Sequence, residues 1–169
     1  ARVMSTAARS KAIVGYNVQA AVDTKHHLIV AHEVTNVGHD RSQLSNMALQ
    51  AKEAIACEEL AVVADRGYFN GEEILACEEA SITAYVPKTQ TSNNQARGLF
   101  GRRDFIYRAD DNEYECPAGE RLIYRFTTQD KGKTVHRYWS SACPRCRLKK
   151  QCTTAVYRRV KRWEHEAVM

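Results

Sequence analysis

The sequence predicts an α/β fold whose second half carries a small β-rich, cysteine-bearing part, and three observations lead there. Residues 13–23 alternate in polarity with the period of a strand. Residues 60–64 are a short, β-branched apolar run that ends on a carboxylate and leads through a glycine turn into a helical pattern. Beyond residue 104, short β-like runs separated by polar turns share the chain with four of its six cysteines.

Taken in order, residues 1–11 show neither period nor cap and read as an extended lead-in. In the strand that follows, Val14, Tyr16, Val18, Ala20 and Val22 face one way, while Asn17, Gln19, Ala21 and Asp23 face the other. A short turn at residues 24–27 returns a second strand over 28–35, so the pair is an antiparallel hairpin. Asp40 with Gln43 reads as a capping box ahead of a helix whose apolar stripe is Leu44, Met47, Ala48, Ala51 and Ile55. The apolar run at 60–64 reads as a strand buried on both faces, which places Asp65 at its carboxyl end, where open α/β sheets keep their reacting groups. Asn70 with Glu73 marks the start of a helix over 71–79, and residues 82–86 form one more strand, stopped by Pro87. Residues 89–104 read as a polar loop, and 105–107, 122–126 and 135–139 as the strands of a small antiparallel sheet.

Composition narrows the function classes. In 169 residues, 44% of them apolar, there is enough for a real core, and no run of eighteen apolar residues or signal-peptide pattern predicts membrane insertion or secretion. The net charge of +5 is unevenly spread. Residues 120–169 hold 13 Lys/Arg against 4 Asp/Glu, which points to an anionic partner, nucleic acid first. Cys57 and Cys77 sit at amphipathic helix ends and read as small buried residues. Cys116, Cys143, Cys146 and Cys152 supply the four thiolates of a closed Zn²⁺ site, with His136 as a substitute ligand and four reduced core thiols or a redox pair as the alternatives. Around them, Arg145, Arg147, Lys149 and Lys150 would meet a DNA backbone.

Three motifs carry a family resemblance. Val62-Val-Ala-Asp65-Arg-Gly-Tyr68 resembles the second-aspartate motif of DDE transposases from bacterial insertion sequences. Gly15-Tyr-Asn-Val-Gln-Ala-Ala-Val-Asp23 and Gly38-His-Asp-Arg41 are similar to that family's flanking motifs and stand in its order. The resemblance implies a ribonuclease-H-like mixed sheet whose three carboxylates hold two Mg²⁺ or Mn²⁺ ions for DNA strand cleavage and strand transfer. It implies double-stranded DNA as partner (transposon ends and target), a homodimer in the full-length protein, and a cytoplasmic, nucleoid-associated bacterial setting.

Carried onto this chain, the resemblance makes Asp65 the second acid and Glu166 the third, with Arg162 one helical turn earlier as a phosphate ligand. Arg159 stands where the family has tyrosine, and Glu164 competes with Glu166. Only two strands are legible before the first helix, so the strand bearing the first acid is expected upstream of Ala1, with Asp23 as the less favoured candidate. The expected division is a ribonuclease-H-like core over 1–104, a cysteine-rich basic β-insertion over 105–155, and the start of a returning C-terminal helix over 156–169. On this reading the chain alone is expected to be inactive. A non-catalytic zinc-stabilised nucleic-acid-binding module and a ribonuclease-H-like nuclease are the alternatives.

Overall fold

A computed structural model of the chain describes residues 1–4, 12–89 and 92–169. The lead-in expected over 1–11 and the polar loop over 89–104 therefore lie partly outside the described residues. The chain is mixed α/β and divides into two compact units, Ala1–Thr89 with Val168–Met169, and Gln90–Ala167.

In the first unit, β1 (Arg2–Met4) pairs antiparallel with β2 (Ile13–Gly15), so a short strand precedes the two that the pattern revealed. Three residues are too few to display a period, which is why the sequence concealed it. After a break at Tyr16, β3 (Asn17–Val22) pairs antiparallel with β4 (Ile29–Thr35), as the hairpin expectation required. The Asp23 carboxylate accepts from the His26 amide at 2.6 Å and closes the connecting turn.

The alternation of β3 is present, but its faces are unusual. Val18 is 64% exposed while Gln19 is 3% exposed, so the apolar side faces outward and the polar side is covered. Helix α1 (Leu44–Ile55) packs against β3 and β4, and it buries Leu44, Met47, Ala48 and Ala51 while leaving Ile55 exposed. The Asp40–Gln43 capping box does not form. Gln43 is the N-cap residue and makes no side-chain cap bond; its backbone amide donates to the Asp40 carbonyl at 3.0 Å, and the Asp40 carboxylate accepts from Asn17 and Gln19. The helix start is served from another helix instead. The Glu73 carboxylate accepts from Ser45 N at 2.9 Å and Ser45 Oγ at 2.7 Å, which satisfies an otherwise orphaned amide.

Strands β5 (Leu60–Val63) and β6 (Ile82–Tyr85) form a parallel ladder, in register from Leu60 opposite Ile82 to Val63 opposite Tyr85. A parallel pair needs a crossover, which α2 (Gly71–Glu79) supplies over the residues its pattern marked. Asn70 caps it by accepting from Glu72 N at 3.2 Å. Leu44, Ala48, Ile74, Cys77 and Ile82 form the core, with Leu60 and Val62 packed against it. Strand β5 is not buried on both faces as its run suggested, since Val63 is 79% exposed. Burial pushes the Cys77 thiol up to about 11, in keeping with a packing role.

The second unit is a five-stranded antiparallel sheet made of β7 (Ile106–Arg108), β8 (Glu113–Glu115), β9 (Arg121–Asp130), β10 (Lys133–Trp139) and β11 (Val160–Trp163), in the order β11-β10-β9-β8-β7. Phe105, Tyr114, Leu122, Tyr138 and Val160 make its core, and Tyr138 Oη donates to Asn112 Oδ1 at 2.8 Å. Here a sequence expectation is overturned. The segment taken as the start of a C-terminal helix is β11, an edge strand with Tyr138 opposite Val160 and His136 opposite Arg162. Val160 is buried in the core while Lys161 beside it is exposed, a period of two that the surrounding basic residues hid.

Replacing Ile82 by alanine should leave a cavity in the first core and cost about 2–5 kcal/mol. Urea denaturation followed by circular dichroism measures it, and a loss below about 1 kcal/mol would contradict this packing.

Candidate active site

The carboxyl end of β5 places Asp65. Its backbone is extended, and it caps a short 3-10 turn, Arg66–Tyr68, by accepting from Gly67 N through Oδ1 at 2.6 Å. Thus one carboxylate oxygen is held by the turn, and the group is fixed at the end of a parallel strand. A Cβ on Gly67 would stand 2.8 Å from Asp65 Oδ1 and 3.6 Å from Asp40 Oδ2, so each carboxylate has an oxygen on that side of the turn.

Asp40 is the functional candidate that sequence reasoning missed. It opens the 3-10 turn Asp40–Ser42, which packs against the turn at Arg66–Tyr68. Its Oδ1 accepts from Asn17 Nδ2 at 2.9 Å and from Gln19 Nε2 at 2.8 Å. The Gln19 amide oxygen in turn accepts from the Tyr68 hydroxyl. The polar face of β3, buried against expectation, is thereby explained: its amides hold a carboxylate. Burial raises the Tyr68 phenol above its ordinary value, the charges of Asp40 and Asp65 raise it further, and the Gln19 bond partly offsets them. The phenol therefore keeps its proton and remains a donor. The signal was available in Gly38-His-Asp-Arg41, but local spacing alone suggested a cap.

A cavity of about 270 Å³ opens beside this group, lined by Gln19, Ala20 and Ala21 of β3, the buried face of α1, and residues 62–65 with Tyr68. Hard carboxylate oxygens of this kind suit Mg²⁺ or Mn²⁺. Asp65 and Asp40 are two such donors. Among the described residues no group of three or more His, Cys, Asp or Glu is placed to hold a metal ion.

The other sequence candidates lie apart from this group or in the second unit. Asp23 is spent in its hairpin turn. Glu166, in the second unit, accepts from Arg102 Nη2 at 2.5 Å and from Trp163 N at 3.1 Å. Glu164 lies 3.8 Å from His165. Arg162 is on strand β11 rather than one helical turn before Glu166, and its guanidinium stacks 3.8 Å above the Tyr107 ring.

The cysteine expectation fares differently. Cys116, Cys143, Cys146 and Cys152 line one cavity of about 20 Å³, together with Leu148 and Arg158. Cys143 opens the turn Cys143–Arg145, and Cys152 ends the one-turn helix α3 (Lys149–Cys152). Burial raises the Cys152 thiol, Arg158 lowers it, and Cys143, Cys116 and Cys146 each raise it, so the four sulfurs act on one another at short range. Four sulfurs around one small cavity fit the donor chemistry of a zinc ion, although as they stand they do not form a closed ligand set. His136 is not among them, since its Nδ1 bonds Thr127 Oγ1 at 2.8 Å. Arg145 and Arg147 line one open recess next to Cys146, while Arg147, Lys149 and Lys150 line another.

Comparison with known proteins adds one finding. The family model described as "Transposase DDE domain" matches residues 3–165. No curated protein and no solved structure matches the chain significantly.

Proposed function

The chain belongs to the transposase DDE domain family, and on that premise we propose that it supplies the carboxylate site for divalent-metal-dependent DNA strand cleavage and strand transfer. The observation that carries this reading is Asp65, fixed at the carboxyl end of β5 with one carboxylate oxygen held by the Gly67 amide. The α/β arrangement of the first unit is consistent with a ribonuclease-H-like core, and the β-rich, cysteine-bearing second unit with an insertion in it.

A divalent cation at Asp65 would act as a Lewis acid, activating the attacking oxygen and steadying the oxygen that leaves. The residues of the chain prepare for that. Asp65 presents a carboxylate that the Gly67 amide keeps from rotating. The Tyr68 hydroxyl, tied to Gln19, places a protonated donor at the same end of the sheet. Glu166, the third acid by the family resemblance, lies in the second unit, where Arg102 and the Trp163 amide hold it. Arg162 and the exposed Arg145, Arg147 and Lys150, with Lys149, provide the positive surface that a DNA backbone would meet.

Asp65→Asn should reduce Mn²⁺-dependent nicking of supercoiled plasmid by the protein to background, while Asp23→Asn keeps it. Nicking that persists in Asp65→Asn would remove the basis of the proposal.

The four-cysteine cavity supports a structural zinc ion held by Cys116, Cys143, Cys146 and Cys152. Such an ion would tie the β8–β9 connection to α3. Protein purified without chelator should carry about one zinc per chain, as one tetrahedral site implies. Cys146→Ser should lose it. Zinc-free protein whose four thiols all react with iodoacetamide in the native state would count against the site.

A further inference from the structure

One face of the five-stranded sheet packs around Tyr114, Leu122 and Tyr138. Its other face carries rings and guanidinium groups that neither the Asp65 reading nor the cysteine cavity uses. Trp139, at the end of β10, is their centre. The Phe126 ring meets the indole edge-on at 5.9 Å between centroids, and the Tyr157 ring lies 6.3 Å away. Arg125 and Arg159 place their guanidinium groups over the same indole, at 5.3 and 5.5 Å from its centroid. Both arginines are exposed, and Phe126 is 48% exposed.

A local break in the sheet builds this cluster. Strands β9 and β10 keep register from Lys133 opposite Asp130 to Arg137 opposite Phe126. The next pair is Tyr138 opposite Tyr124, so Arg125 is the extra residue of a bulge. In a regular strand Arg125 and Phe126 would point to opposite faces. The bulge instead brings both to the Trp139 ring.

Elsewhere in the sheet, cations are matched. Arg108 faces Glu115 at 2.6 Å, Arg121 faces Asp111 at 2.5 Å, and Arg137 and Lys161 share Asp130 at 3.4 and 2.5 Å. Arg125 and Arg159 have no carboxylate partner among the described residues. The one side-chain hydrogen bond of the pair there runs from Arg125 Nε to the Trp139 carbonyl at 3.3 Å. Two cations held on one ring repel each other, and most of their N–H donors stay unspent. A cation–π contact orients a guanidinium without neutralising it, which suits a site for a polyanion.

We propose that Arg125 and Arg159, held on Trp139, clamp the phosphate backbone of duplex DNA, in addition to the contacts of Arg145, Arg147, Lys149 and Lys150. Guanidinium forks match phosphate oxygens in bidentate pairs. The 13 Lys/Arg against 4 Asp/Glu over residues 120–169 supply the surrounding positive field. Backbone contact is favoured over base contact because both guanidinium groups lie over the indole, which makes it their support and not an open platform for a base. The inference rests on the DNA reading given above and names a second set of residues that carries the affinity.

Fluorescence anisotropy of the chain with a labelled mixed-sequence DNA duplex, repeated over a salt series, tests it. The double variant Arg125→Gln with Arg159→Gln should keep the wild-type melting temperature and bind on the order of tenfold more weakly, as the loss of charged hydrogen bonds implies. Its log–log salt slope should fall by about 1.8, at about 0.9 per phosphate contact. Arg159→Gln alone should lower the slope by about 0.9, which keeps the test decisive if the double variant unfolds. Arg108→Gln with Arg121→Gln removes the same charge from cations that already have carboxylate partners, and should leave the slope unchanged. Equal slopes for the two double variants would mean that the Trp139 cluster has no special part in binding, and the proposal falls while the DNA reading stands. Tighter binding of a single-stranded oligonucleotide than of the duplex, lost in Phe126→Ala, would overturn the backbone assignment. If the wild-type chain shows no salt-dependent binding of duplex, the DNA reading of the basic surface fails and this proposal with it.

Discussion

The parallel ladder between β5 and β6 is the constraint on which the first unit depends. Parallel strands cannot be joined by a tight turn, so the chain must climb back through α2, and that crossover needs an apolar bed. Ile74 and Cys77 of α2, Ile82 of β6 and Leu44 with Ala48 of α1 provide it. The same geometry ends β5 where the chain turns toward α2, and that end is Asp65. Glu73 then links the two helices by capping α1 through Ser45. The position of Asp65 is thus a consequence of packing several residues away, and no nearby salt bridge is needed to set it.

A second feature is the inverted face of β3. Burying Gln19 and half-burying Asn17 while Val18 and Val22 stay exposed opposes the ordinary sorting of residues by polarity. Such local violations concentrate where a fold serves chemistry. The buried amides are satisfied through Asp40, Tyr68 and the Val37 carbonyl, so the arrangement meets the rule that buried polar groups be paired. In the second unit the polar and aromatic groups are arranged differently. There, guanidinium groups lie over rings: Arg125 and Arg159 over Trp139, and Arg162 over Tyr107.

Much of the first unit was legible because its signals are long or doubled. The α2 boundaries followed from Asn70 at the cap, and the α1 stripe from five apolar residues at helical spacing, four of which are buried. The β3–β4 hairpin followed from alternation on both sides of a short turn. Asp65 was legible as a strand-end acid. Asp40 was not, because its partners Asn17 and Gln19 are more than twenty residues away and a local rule explained it well enough. β11 was missed for the opposite reason. The family resemblance put Arg162 and Glu166 on a helix, whereas the Val160-to-Trp163 segment gains its hydrogen bonds from β10, a partner that a local pattern does not reveal. The four cysteines grouped by count and knuckle do line one cavity, but among the described residues they do not form a metal-holding group.

The central claim is that Asp65, at the carboxyl end of β5, supplies a carboxylate to a divalent cation. Iron-directed backbone cleavage tests it most directly. Fe²⁺ takes the place of Mg²⁺ at oxygen-ligand sites, and with ascorbate and peroxide it cuts the polypeptide beside the ion. Cuts near residue 65, suppressed by excess Mg²⁺ and absent in Asp65→Asn, are the result predicted here. Cleavage that leaves this segment intact, or that persists in Asp65→Asn, would contradict the account.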